Sequence, residues 1–311
     1  MSDVYFFGHV TTGIFLRLKT RYPAPDGYAE VAETLENHAG EATAGALVLA
    51  RLGASVALEG NWIGDNPACR RTLEFLRSRG IDCGGLLVKP GYQGATEVVI
   101  SDGDTRTFFG RSIDLLFTTP QWETPSAERI RAARIVCVDP SFGETTLFVA
   151  RTAKAAGRLL VTSDARHDAS LAALADAVVI SAELLHRDYP DAVKPGPARE
   201  KLFAEYLERC PGLVVFTAGS SPAWYARHGD RTRREIPPFP VEVIDSAGAG
   251  DSFRAGLIYG LLHGWTDEDS LRFASAVAAL ICTTAPGCVN PPALDQVLSF
   301  LAARGVTVPT C

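Results

Sequence analysis

Apolar positions follow two different rhythms along the chain. From residue 135 onward, near-continuous apolar runs (Ile135-Val-Cys-Val138, Leu159-Leu-Val-Thr162, Ala177-Val-Val-Ile180, Leu213-Val-Val-Phe-Thr217) alternate with segments at residues 145–156, 171–175 and 199–209 that read as helices. Strands without polar alternation are covered on both faces, so this pattern predicts βαβ units and a parallel sheet, whose ligands bind at the carboxyl ends of the strands. Thr217, Gly219 and Asp245 are expected at such ends. Nearer the start, Val4-Tyr-Phe-Phe7 closed by Gly8 predicts a buried first strand. A helix ending at Gly53, a strand at 54–58, and a turn at Gly64-Asp65-Asn66-Pro67 opening a helix through Arg79 follow. Between these lie two segments, about 11–36 and 92–112, that alternate imperfectly around Pro23, Pro25 and Gly27 and around the turn Asp102-Gly-Asp104. Alternation with prolines predicts exposed antiparallel strands, and two such inserts would build one small sheet beside the main one. One α/β domain spanning 1–311 with that appendage is the expected organisation.

Composition narrows the class of partner. The chain has 311 residues, 47% of them hydrophobic, enough for one large core or two modest ones. Its formal net charge of −6 argues against nucleic acid as the main partner. Seven cysteines, at 69, 83, 137, 210, 282, 288 and 311, lack metal-type spacing and read as small core residues in a reducing compartment. The uncharged stretch 273–290 is broken by Pro286 and Gly287, so no membrane span is expected, and no leader pattern is read at the start. A cytoplasmic location is the expectation.

The chemistry concentrates in Val243-Ile-Asp-Ser-Ala-Gly-Ala-Gly-Asp-Ser-Phe-Arg-Ala-Gly256. An apolar strand end, a loop of small residues and a helix with Phe253, Leu257, Ile258 and Leu261 on its apolar face predict a strand-to-helix turn. The first free N–H groups of such a helix point at one spot and bind anions. Asp251 stands beside that spot. A carboxylate there repels a phosphate unless it takes a proton from an attacking hydroxyl, while the plain alternative is a helix-dipole partner.

Asp245-Ser-Ala-Gly-Ala-Gly-Asp251-Ser-Phe resembles the signature of the ribokinase-like (PfkB) carbohydrate kinases, Asp-Thr-x-Gly-Ala-Gly-Asp-x-Phe, and lies in the last third of the chain as it does there. The resemblance extends to Gly40 and the Ala-rich helix ending Arg-Leu-Gly53, to Thr217-Ala218-Gly219, and to the small-residue stretch 273–287. Its closest patterns are those of ketohexokinases and the kinase of sulfonated fructose. It implies a three-layer α/β/α fold with a mainly parallel central sheet and a small β-sheet lid that often forms a homodimer contact. It also implies phosphoryl transfer from ATP, with Gly248, Ala249 and Gly250 holding the phosphoryl group and Asp251 as base. Thr217, Ala218, Gly219, Ser246, Ser275, Cys282 and Gly287 would meet the nucleotide. Gly13, Gly40, Glu41, Arg106 and Asp251 would meet the sugar. Mg²⁺ would accompany ATP, and carbonyls around Asp245, Ala247, Cys282 and Gly287 would hold K⁺ where relatives bind it.

Four positions depart from the family pattern. A sugar-binding aspartate is replaced by Gly13, an asparagine by Ala44, and an Asn-x-x-Glu pair by Ser181 and Leu184. Loss of the carboxylate at 13 removes an acceptor for two hydroxyls and favours an acceptor that is itself anionic, met by Arg106 or Arg111. A solvated strand charge is the plain reading of either arginine. Asp164, after the strand at 159–162, would lie near the substrate. The expected activity is ATP-dependent phosphorylation of a ketohexose or modified ketohexose. The alternatives are a nucleoside kinase of the same fold, with Phe108 and Phe109 stacking on a base, and a non-catalytic nucleotide-binding regulator.

Overall fold

The computed structural model describes residues 2–103, 105–113, 118–230 and 232–309; Asp104 and Cys311 lie outside them. An eight-stranded sheet forms the centre. Six of its strands run parallel, in the spatial order β4 (Val56–Gly60), β1 (Val4–Gly8), β9 (Ile135–Val138), β10 (Leu159–Ser163), β11 (Ala177–Ile180) and β12 (Leu213–Ala218). β13 (Ser221–Arg227) and β14 (Arg234–Ile236) then close one edge antiparallel.

Strand pleating splits the apolar runs between two cores. Val4, Phe6, Leu58, Cys137, Val161, Val179 and Val215 face α1 (Glu41–Arg51), α2 (Pro67–Ser78), α7 (Ala249–Leu262), α8 (Asp267–Ile281) and α9 (Leu294–Ala302). Tyr5, Phe7, Val136, Val138, Val178, Ile180, Val214 and Phe216 face α3 (Ala127–Ala132), α4 (Glu144–Ala155), α5 (Ala182–Asp188) and α6 (Pro197–Arg209). Both faces are therefore dry, which is why these strands carry no polar alternation. Caps fix several helix starts: Asn66 accepts from the Cys69 N–H, Ser181 from Leu184 and Thr266 from Asp269. The segment expected as a helix at 171–175 shortens to a 3₁₀ turn at Ala172–Leu174.

A separate four-stranded sheet stands beside the main one in the order β3 (Val31–Ala39), β2 (Thr11–Leu18), β7 (Thr96–Ser101), β8 (Arg106–Gly110). Its outer pairs are antiparallel and its central pair, β2 with β7, is parallel. Two stretches far apart in sequence thus share one sheet. β5 (Ile63–Gly64) and β6 (Val88–Lys89) make a minor third ladder.

One local expectation fails. Val243 and Ile244 belong to no strand, and their side chains are exposed at 57% and 47%. The last strand, β14, ends at Ile236, and the chain reaches the glycine loop as irregular backbone held by Cys282, whose carbonyl accepts the Ile244 N–H at 2.8 Å. An apolar pair followed by glycines reads as a strand end, but no neighbouring strand is there to pair with it. Asp245 accordingly follows a loop, whereas Thr217 and Gly219 do lie at the end of β12.

Candidate active site

The site is built where α7 begins. Gly248 caps the helix in the left-handed region at φ 71°, and a Cβ there would also overlap the Cys288 thiol, so the turn requires glycine. No atom lies within 4 Å of where a Cβ on Gly250 would stand, so this side of the loop opens onto free space. The Ala249 N–H turns back to the Ser246 carbonyl at 3.3 Å, and the Ser252 N–H starts the helical ladder on the Gly248 carbonyl. The N–H groups of Gly250 and Asp251 have no backbone acceptor among the described residues, as expected of a first helical turn. Of the Gly248-to-Gly250 set expected from the motif, the Ala249 N–H is thus taken up within the loop, while that of Gly250 stays free beside that of Asp251.

Asp251 is 23% exposed, and its Oδ1 accepts from Arg254 Nη2 at 3.3 Å. Burial pushes its carboxyl up to about 7; Arg254 opposes the rise, while Asp139, Asp164 and Glu183 add to it. A base poised near neutrality suits proton transfer from an alcohol.

Arg254 escapes a motif reading, yet it organises the site. Its side chain is fully buried. Nη1 donates to Asp139 Oδ1 at 3.0 Å and to Ser163 Oγ at 2.6 Å, and Nη2 donates to the Glu41 carbonyl at 2.8 Å as well as to Asp251. Asp139, at the end of β9, also accepts the His9 N–H at 2.9 Å on Oδ2. One guanidinium therefore ties the ends of β9 and β10 and the start of α1 to the candidate base. The signal for it in the sequence is an arginine inside an apolar helix, three residues after Asp251 and on the same face.

The other sequence candidates distribute as follows. Gly40 caps α1, and Glu41 opens it; burial, then the charges of Asp139 and Asp251, hold the Glu41 carboxyl well above the usual range, with Arg254 opposing the rise. Asp245 is buried: Oδ1 accepts the Ala247 N–H at 2.9 Å and lies 3.6 Å from Arg106 Nη1, whereas Oδ2 has no hydrogen-bond partner among the described residues. Arg106 on β8 therefore bridges the small sheet to the glycine loop. Ser246 is exposed beside it. Cys282, through its carbonyl, and Cys288, which contacts the Ala247 carbonyl through Sγ at 3.4 Å, brace the loop from behind. Thr217 donates to the Ile180 carbonyl at 3.2 Å, and Ala218 and Gly219 continue from it with open space at Gly219. Ser275 is buried in α8 with Oγ 3.5 Å from the Pro237 carbonyl, and Gly287 packs on Ile281; neither lies in the anion-binding turn itself. Arg111 is exposed at the end of β8 and makes no ion pair with the loop among the described residues.

Gly13 lies in the middle of the small sheet, and a Cβ on it would stand 1.8 Å from the Glu97 carbonyl oxygen. An aspartate cannot occupy this position without parting β2 from β7. Ala44 packs behind Gly248. Ser181 binds both oxygens of Asp164, through N–H at 2.7 Å and Oγ at 2.8 Å, and Leu184 is buried. The donor pair by which the family resemblance would order Mg²⁺ is therefore not present at these positions. No cluster of three or more metal-ligating side chains occurs among the described residues.

A parallel α/β sheet with a small lid sheet, and a glycine turn with free N–H groups and a carboxylate in the first helical turn, are the parts expected of a phosphotransferase. The pfkB family carbohydrate kinase model matches residues 1–293, and the chain belongs to that family. It is 29% identical over 304 residues to the ATP-dependent ribose-1-phosphate kinase of Halopiger xanaduensis, covering 98% of this chain and 99% of that one. It is 26% identical over 306 residues to a nucleoside kinase of Methanothermobacter thermautotrophicus, covering 97% and 96%. The fold is also that of Arabidopsis thaliana ribokinase, solved with ribose and ATP, at a TM-score of 0.78 with 18% identity over 96% and 98% of the two chains. The protein is thus a kinase that phosphorylates a sugar or nucleoside. No described helix is long and apolar enough to cross a membrane.

Proposed function

We propose that the protein transfers the γ-phosphoryl group of ATP to a hydroxyl of a furanose sugar, with Asp251 as the base. The observation that carries this is the placement of Asp251: in the first turn of α7, beside unpaired N–H groups and open space, held by a buried arginine. In the step, the acceptor oxygen bonds to the γ-phosphorus, the bond to the β–γ bridging oxygen breaks, ADP leaves, and the hydroxyl proton passes to Asp251. The Gly250 and Asp251 N–H groups stabilise the charge on the transferring phosphoryl group. Mg²⁺ bound with the nucleotide would neutralise phosphate charge. The orphaned Asp245 Oδ2, in the loop that the Cys282 carbonyl holds, fits a monovalent cation such as K⁺.

A ketohexose and a ribose unit both present a furanose, and the names of the full-length relatives favour the ribose unit. A nucleoside acceptor has one observation in its favour: Phe108, 55% exposed, lies on the same face of the lid as Arg106. Association of two copies through the lid would use its outer face, where Ile14, Val98 and Phe109 share one row and Ile14 and Phe109 are exposed. The test is Asp251→Asn with ribose 1-phosphate, D-ribose, D-fructose and inosine as acceptors. ADP formation should fall at least about a thousandfold while ATP binding by calorimetry persists. Turnover within tenfold of the parent protein would overturn the assignment.

A further inference from the structure

The register of the lid places Asn37, Gly13, Glu97 and Gly110 in one row across its four strands. Side chains in a row lie on the same face of a sheet. Asn37 and Glu97 are separated by a whole strand, too far for neighbours in adjacent ladders, yet Asn37 Nδ2 donates to Glu97 Oε1 at 2.7 Å. They meet because the residue between them is glycine: the bond passes over Gly13, through the space a side chain would fill. Gly110 leaves the other flank of Glu97 clear as well.

This row faces the catalytic loop. Ser101 and Arg106 pair two rows along on the same face, and Arg106 reaches Asp245. Glu97 is also close enough to the Cys288 thiol, which packs under Gly248, for its charge to help raise that thiol's pKa. Asn37 is buried at 7% exposure and Glu97 is half-buried, its carboxyl raised by burial and lowered again by the Asn37 bond. Glu97 Oε2 and Asn37 Oδ1 have no further partner among the described residues.

We propose that the Asn37–Glu97 pair recognises two neighbouring hydroxyls of the acceptor, in place of the side chain that Gly13 lacks. The inference rests on the kinase reading above. Glu97 accepts from one hydroxyl, and Asn37 accepts from the next through Oδ1. A carboxylate here repels a phosphate or sulfonate, so the end of the acceptor held by the lid row is an uncharged diol, and any anionic group lies toward Arg106. The chemical class is a sugar or nucleoside with a free vicinal diol.

Glu97→Gln, Glu97→Ala and Asn37→Ala test this, assayed by ADP release with D-ribose, ribose 1-phosphate, D-fructose and inosine, with thermal melts alongside. For the acceptor with the highest turnover, each variant should raise KM at least tenfold. The KM for ATP should stay within about threefold, kcat for Glu97→Gln within about fivefold, and the melting temperature within a few degrees. The parent protein should discriminate against a form of that acceptor lacking one hydroxyl of the diol, and Glu97→Ala should narrow that discrimination. An acceptor KM unchanged in Glu97→Gln and Asn37→Ala, or KM values for ATP and acceptor rising together, would overturn the pair's role. Loss of activity in Asp251→Asn with unaltered Glu97 variants overturns this inference alone; an active Asp251→Asn overturns the kinase assignment beneath it.

Discussion

Replacing Arg254 should move the pH dependence of the reaction, not merely lower its rate. The guanidinium lies 3.3 Å from Asp251 Oδ1 with its side chain fully buried. Two unit charges at that separation interact by about 1 kcal/mol in water-like surroundings and by about 5 kcal/mol at an effective dielectric near 20. Since ~1.4 kcal/mol corresponds to one pKa unit, removing the cation raises the Asp251 pKa by about one unit at least and nearly four at most. Asp139 shares the same guanidinium, which draws the expected shift toward the lower end. Asp251 must be ionised to accept a proton, so kcat/KM in the parent protein should fall as pH drops below about 7. In Arg254→Gln this acidic limb should move up by at least about one unit, with part of the rate recovered near pH 9. Breaking a buried pair typically destabilises by about 3–5 kcal/mol, so Arg254→Lys, which keeps the charge, is the companion variant. It should retain the limb near its original position while losing rate through the altered fork geometry. Steady-state rates from pH 5.5 to 9.5, with circular dichroism to confirm folding, measure both. A uniform loss across pH in Arg254→Gln, with the limb unmoved, would refute the electrostatic argument.

Three further outcomes follow from the same geometry. The folded-state pKa of Asp251 lies above its ordinary value near 4, so the native state binds the proton more firmly and its stability declines as pH rises from about 4 to about 7. Asp251→Asn should therefore melt higher than the parent protein at pH 8, by on the order of 1–4 kcal/mol, with the difference shrinking toward pH 4; equal melting temperatures at both pH values would contradict it. Gly250→Ala and Gly248→Ala should separate function from folding: the former faces open space and should keep stability within about 1 kcal/mol while losing activity, and the latter combines positive φ with overlap on Cys288 and should lose several kcal/mol. Gly13→Ala should disturb the lid through the Glu97 carbonyl, raising the acceptor KM more than the ATP KM, a split that steady-state kinetics resolves.

The comparison of sequence and structure separates two kinds of information. Apolar runs and helical periods, together with the glycine loop, were sufficient to place the six parallel strands, most helices and Asp251, because each depends on residues within one short segment, whereas the antiparallel edge strands β13 and β14 went unread. Two features misled a local reading. Val243 and Ile244 look like a strand but belong to no ladder, the Ile244 N–H bonding the Cys282 carbonyl instead, and the Ala249 N–H turns back to Ser246.

What only the tertiary structure decided is which distant polar groups share a space shielded from water. Arg254 meets Asp139 and the Glu41 carbonyl across separations of 115 and 213 residues, and Asn37 meets Glu97 across 60. No periodicity in the chain encodes such meetings. They follow from strand register and from the order in which the strands assemble, and register turns an absent side chain at Gly13 into the gap that lets two polar groups bond. The sequence by itself thus determined the elements and the chemical group at the centre. The fold decided the charge around that group and which distant polar groups lie beside it, because electrostatics depends on distances across elements rather than along them.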